Sequence, residues 1–283
     1  MFRKFLEICR GQYRNTDHKT LAIYVTLRGL VILTLVREFF TRDYFNCLLC
    51  LLSLVLFTIP SFIEKTLKID LPNLLEVIIY LFIFSAEILG EISNFYNIIP
   101  FWDTILHTIN GFCCAAIGFS LVDILNRNSK NISLSPLYMS IVAFCFSMTI
   151  GVLWEFFEFF GDHLLRMDMQ KDTLVETISS VNLNPEGLNE PVILKGIEGT
   201  EVIMQDGETY RIDGGYLDIG IIDTMQDLFV NLIGAVVFSG FGYVYVRRRD
   251  RKEKTFASNF IPVKVDDISE INTDHHKEDD NNG

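Results

Sequence analysis

Three apolar stretches in the second half of the chain carry ionisable side chains. DTILHTINGF holds Asp103 and His107, GVLWEFFEFFGD holds Glu155, Glu158 and Asp162, and DTMQDLFVNLIGA holds Asp223 and Asp227. An ionisable group at membrane depth is costly and marks a site by default. On a helix, Asp103, His107 and Asn110 fall at i, i+4 and i+7 and share one face. Glu155, Glu158 and Asp162 share a second face, and Asp223, Asp227 and Asn231 a third. Gly111, and Gly234 with Ala235, sit beside these faces and allow close helix approach. The candidate metal ligands are His107, Glu155, Glu158, Asp223 and Asp227, with Glu155 or Glu158 able to act as catalytic base instead. Asp103, Asn110, Asp162 and Asn231 are their supporting neighbours.

Clustered carboxylates cannot all stay ionised without compensating positive charge, because each raises the pKa of the next. No Lys or Arg lies on these three faces, which leaves protonation or a bound cation. Oxygen donors with one imidazole suit Zn²⁺, Mn²⁺ or Fe²⁺, and oxygen alone suits Mg²⁺ or Ca²⁺. Di-metal carboxylate bundles place a Glu three residues before each His, and the chain has no such ExxH pair. The plainer alternative is hydrogen bonding among polar residues at a wet interface between helices.

The elements that must position these residues are apolar and long. The chain has 283 residues, 49% of them hydrophobic, and they cluster rather than scatter. Six stretches reach the roughly 20 helical residues that a hydrocarbon core of about 30 Å demands. They are 21–37, 44–63, 73–93, 104–125, 136–160 and 223–246. Helices are expected because a span must satisfy its own backbone in lipid, and the runs lack the alternation of a barrel. The expected fold class is all-α integral membrane, with six transmembrane helices and a small extracytoplasmic β-hairpin insertion between helices five and six.

Lys and Arg near the span ends set the orientation. Arg3, Lys4, Arg10, Arg14 and Lys19 precede the first span, and Arg247, Arg248, Arg249, Arg251, Lys252 and Lys254 follow the last. Lys65, Lys68, Arg127 and Lys130 mark the connections on the same side, while Arg37 and Arg42 are discordant. Both termini are therefore expected in the cytoplasm of a multi-pass plasma (inner) membrane protein, with the lipid bilayer as its partner. The first twenty residues lack a signal-peptide pattern, so the first span would serve as an uncleaved insertion signal. All three polar faces then lie at the outer ends of their helices. The inner halves of the last three spans read as free of charge.

The expected organisation is a basic cytoplasmic segment at 1–20, helices one to five over 21–160, an acidic insertion at 161–222, helix six over 223–246 and a mostly disordered cytoplasmic tail at 247–283. Within Gly161–Ile222, 12 Asp and Glu face 4 Lys and Arg, a net of −8. TEVIMQDGETYRID alternates on both sides of Asp206-Gly207, which predicts a hairpin with a type I′ turn. PVILKGIEG suggests one more strand. In span one, Arg28 sits deep enough to need an acidic partner, with Glu76, Glu87 and Glu91 as candidates. Pro60 is expected to end span two. Cys47 and Cys50 read as small core hydrophobes, and none of the six cysteines falls in the insertion, so no external disulfide is implied. His275 and His276 read as a solvated tail pair. The overall charge of −12 and the short juxtamembrane basic cluster disfavour nucleic-acid binding.

PFWDTILHTINGF, LWEFFEFFGD and YLDIGIIDTMQDLFVNLIGA resemble a family of uncharacterised polytopic bacterial membrane proteins, the YjdF-like group, with a looser likeness to VanZ-like proteins. LFTIPSFIEK and AEILGEISNFY resemble the longer members. The resemblance implies a six-helix protein of the bacterial plasma membrane and carries no defined reaction. Three functions remain open. The first is a metal-dependent hydrolase or transferase acting on lipid or envelope substrates with Zn, Mn, Fe or Mg. The second is an ion- or proton-coupled transporter, and the third an interaction or regulatory protein without catalysis.

Overall fold

A computed structural model describes residues 18–67, 69–128, 133–249 and 256–264. Arg3, Lys4, Arg10, Arg14, Lys68, Lys130, Arg251, Lys252, Lys254, Cys9, His275 and His276 lie outside the described residues. Most of the described chain is helical, as its long apolar runs demand. Among the described residues, five helices are long and apolar enough to cross a membrane: α1 (His18–Thr41), the run Tyr44–Thr66 built from α2 (Tyr44–Leu56) and α3 (Ile59–Leu67), α6 (Trp102–Asn128), α7 (Pro136–Leu165) and α8 (Ile221–Arg249).

The stretch 73–93 folds differently from a single regular span. Helix α4 (Asn73–Ile83) opens after Pro72 and passes into a π-helical run, Phe84–Ile92. The short helix α5 (Phe95–Ile98) follows. Gly90 permits this bend to pack, since a Cβ there would stand 2.4 Å from the Tyr96 ring. Pro60 does not end the second span. It occupies the first turn of α3, where the missing N–H costs nothing, and the run continues to Thr66. Between α1 and α2, Arg42 reverses the chain at φ +64, and the Asp43 carboxylate accepts from the Asn46 N–H at 3.1 Å to cap α2.

One compact unit comprises the chain up to Gly151 and from Val230 onward. It holds two apolar cores. Tyr24, Leu27, Val31, Cys50, Phe57 and Tyr80 join α1, α2 and α4 in the first. Leu75, Ala116, Phe119, Met139, Ala235 and Phe238 join α4, α6, α7 and α8 in the second. Helices α6 and α8 run parallel, with Gly111 against Asn231, Phe119 against Phe238 and Arg127 bonded to Tyr245. Helix α7 runs antiparallel to α6, since Ser147 donates to the Gly111 carbonyl at 2.7 Å while Asn126 meets Met139.

Arg28 hydrogen-bonds Tyr24, whose ring stacks near Tyr80, and the Tyr80 hydroxyl donates to Glu76 at 3.3 Å. Two tyrosines thus link the arginine to Glu76, one of its expected acidic partners. After α8, Phe256–Asn259 forms a short 3₁₀ turn. Phe260 and Ile261 are buried, with the Phe260 ring 5.0 Å from Phe112. Strand β8 (Val263–Lys264) then pairs antiparallel with β1 (Ile69–Asp70). Residues 265–283 lie outside the described residues.

The second unit is Val152–Phe229. Its strands form three antiparallel pairs: β2 (Leu174–Val175) with β7 (Tyr216–Leu217), β3 (Thr177–Ser180) with β4 (Val192–Lys195), and β5 (Gly199–Ile203) with β6 (Thr209–Asp213). The expected hairpin is present, but its turn is not type I′. Gly207 takes φ +89 whereas Asp206 does not take a positive φ. The Gly207 N–H donates to the Met204 carbonyl at 3.0 Å and the Met204 N–H to the Glu208 carbonyl at 2.8 Å. A longer loop closed by one left-handed glycine results. The Asp206 side chain favours it by accepting from the Glu208 N–H at 3.0 Å.

Candidate metal centre

The best-defined part of the site lies where α6, α7 and α8 cross. Gly111 and Gly234 carry no side chain at the contact, and a Cβ on either would stand 2.1 Å from a carbonyl oxygen, of Asn231 and of Thr108 respectively. The two backbones therefore touch, in the manner of small-residue contacts between membrane helices. Asn231, 1% exposed, fills the remaining gap. Asn110 donates to its Oδ1 at 3.4 Å, its Nδ2 reaches the Met148 sulfur at 3.6 Å, and a Cβ on Gly151 would press on that same amide at 2.6 Å. Three helices are thus locked around one buried amide, with Ser147 bonded to α6 beside it.

From this lock the acidic groups follow by helix continuity. His107 stands one turn before Gly111 on α6, and Asp227 one turn before Asn231 on the parallel helix α8. Asp103, a turn earlier on α6, places Oδ1 3.5 Å from His107 Nε2. His107 and Asp227 are buried and Asp103 is half-buried. Asp103, His107 and Asp227 form a group that could hold a metal ion, one ligand atom from each lying within 4.8 Å of the others. In a tetrahedral site with bonds near 2.0–2.2 Å the donors stand about 3.3–3.6 Å apart, inside the 4.8 Å that bounds this group. Two carboxylates and an imidazole suit Zn²⁺, Mn²⁺ or Fe²⁺.

The other expected residues are placed as follows. Glu155 and Glu158 are both buried on α7, and Trp154 Nε1 donates to Glu158 at 2.7 Å. Asp162 accepts from the Met169 and Gln170 N–H groups at 2.6 and 2.9 Å, and Asp223 accepts from the Lys171 N–H at 2.7 Å. Both of these tie the start of the insertion to helix ends. Asp218 adds a third tie, accepting from Thr173 at 2.7 Å and from Ile222 at 2.8 Å, where it caps α8.

Asp103, read from sequence as a supporting neighbour, is one of the three residues brought together, while Asn110 and Asn231 hydrogen-bond each other in the helix contact. The sequence reading missed Ser147, Met148 and Gly151, although Ser147 and Gly151 have the small-xxx-small spacing of a close helix contact. It also gave the inner half of α6 no charge. Asp123 is buried there, bonded to Arg127 at 2.5 Å, and Arg127 also donates to Tyr245 at 3.0 Å. The pair was hidden because both residues fall in the last two turns of a span judged by its apolar average.

Five helices of membrane-crossing length, three of them joined through a buried polar lock, define an integral membrane protein. The chain belongs to the family described as "Predicted membrane protein (DUF2238)", whose model matches residues 23–248. It is also similar to an uncharacterized protein of Thermotoga maritima, 31% identical over 106 residues that cover 38% of this chain and 53% of the relative. The chain thus spans about half the length of that curated relative. No solved structure matches the chain.

Proposed function

We propose that this is a six-span protein of the bacterial plasma membrane with both termini cytoplasmic, and that it is a metal-dependent hydrolase or transferase acting on lipid or envelope substrates at the outer face. The observation that carries the reading is the Asp103, His107 and Asp227 group. α4 and the π-helical run together supply the sixth crossing. Asp103, His107 and Asp227 would hold the ion. When bound, a divalent metal lowers the pKa of water and polarises a phosphoryl or carbonyl oxygen.

The chain's own residues supply the rest. Asp103 Oδ1 stands 3.5 Å from His107 Nε2, so the two donors sit side by side on one face of α6. Glu155 and Glu158, on the helix that Gly151 and Ser147 lock against α6, are the candidate bases. Trp154 holds the Glu158 carboxylate through its indole N–H. The Asn231 lock keeps α6 and α8 at fixed register, which a site shared between helices requires.

The reading is tested by release of inorganic phosphate from phosphatidic acid presented in detergent micelles to purified protein. Release should stop on chelation, return with Zn²⁺ or Mn²⁺, and fall at least about 100-fold in Glu155→Gln or Glu158→Gln. Proteoliposome cation flux that disappears in Asp227→Asn, without any hydrolysis, would establish transport in its place.

A further inference from the structure

Helix α6 carries a second face on the same turns as the metal group. Trp102, Ile105 and Ile109 fall at i, i+3 and i+7, one or two residues before Asp103, His107 and Asn110. The two faces share an edge over about 10 Å of helix. The apolar face does not close on its neighbour. It borders a cavity of ≈ 150 Å³ whose far wall includes Ile78, Leu81 and Ser85. The wall is built at the junction of α4 and the π-helical run, and π-helical turns occur mostly at functional sites. Trp102 is held rigidly at the mouth, its Nε1 donating to the Ser85 carbonyl at 3.3 Å and its ring meeting Phe95 edge-on at 5.1 Å.

A cavity of this size with apolar walls stays dry and takes a hydrocarbon group about as large as benzene. Two of its residues, Leu81 at 44% and Ile105 at 50% exposure, are also on the outer surface of a membrane protein. Part of its lining thus reaches the surface that bilayer lipid would cover. Hydrocarbon is the solvent on that face, so the occupant is an acyl chain.

We infer that this cavity binds a segment of one acyl chain of a membrane phospholipid, the rest of the chain lying in the bilayer, and presents that lipid's headgroup to the adjoining face of Asp103 and His107. This rests on the proposed metal site and names its substrate class. A chain lying along Trp102, Ile105 and Ile109 brings the ester end of the lipid level with the first two turns of α6. The metal group occupies those turns.

Trp102 is the natural reporter, because the chain has 2 tryptophans and Trp154→Phe removes the other. The Trp154→Phe protein is placed in phosphatidylcholine nanodiscs doped with phosphatidic acid carrying brominated acyl chains. Trp102 quenching should saturate at one lipid per chain, at a mole fraction at least about tenfold below that for brominated phosphatidylcholine. Ile109→Phe, which fills the cavity from α6, should leave only the linear quenching of surrounding lipid. Ser85→Leu fills the same space from the opposite wall, should one variant not fold. Quenching that is linear from the outset and unchanged by either filling variant, in protein that still binds its metal, would overturn the acyl-chain site. Saturation indifferent to headgroup and to chelator would keep the acyl-chain site and overturn the metal reading.

Discussion

At the scale of single residues the account turns on buried polar groups that have definite partners. Asn231 is the clearest, an amide with almost no exposure seated between Asn110, Met148 and the bare backbone of Gly151. Replacing it by Leu removes those bonds and adds a branched side chain to a gap already full. The expected cost is about 1–3 kcal/mol, read as a lower midpoint of thermal unfolding in detergent. Gly111→Ala should cost a similar amount, because its methyl group would meet the Asn231 carbonyl and force α6 and α8 apart.

Asp172 gives a pH prediction. Its carboxyl is pushed above the ordinary range, chiefly by partial burial and then by the nearby Asp168, Asp218 and Asp162. The folded protein therefore binds this proton more tightly than the unfolded chain does. Stability of the insertion should fall as pH rises through the window from the ordinary carboxylate range to the raised value. The protection factor of the Thr173 amide, with the intrinsic pH dependence of exchange divided out, should rise on acidification through that window. Asp172→Asn should remove the dependence.

At the scale of elements, the long apolar helices were legible in the sequence because hydrophobic length is a strong signal. Their interruptions were not. The π-helical run at Phe84–Ile92, packed at Gly90 against Tyr96, and the break between α2 and α3 leave no mark in hydropathy. The hairpin was legible from Asp206-Gly207 and alternation, but its turn type depended on Asp206 bonding locally to Glu208. Gly207→Val should therefore destabilise the hairpin by about 1 kcal/mol or more, since φ +89 suits glycine alone, while Asp206→Asn should be near neutral. Backbone amide chemical shifts of the Thr209–Asp213 strand would report both. Asp162 and Asp223 have a role that spacing does not show. They lie on the expected helix faces, yet their oxygens hold the backbone of the insertion.

At the scale of the whole molecule, membrane class and family were readable from composition and motif, whereas the donor set was only partly so. Helical spacing placed Asp103, His107 and Asp227 on inward faces, and it could not tell which carboxylates would be consumed as caps. The proposed orientation is tested by single cysteines in a cysteine-free background. Glu186→Cys should react with a membrane-impermeant maleimide in intact cells, and Arg248→Cys only after permeabilisation. The reverse pattern would place the site on the cytoplasmic face. The most direct test of the central claim is elemental analysis of the detergent-purified protein. The account predicts one divalent metal ion per chain in the unaltered protein, lost in both His107→Ala and Asp227→Ala with the fold retained. A metal-free protein, or metal content unchanged by both substitutions, would contradict it.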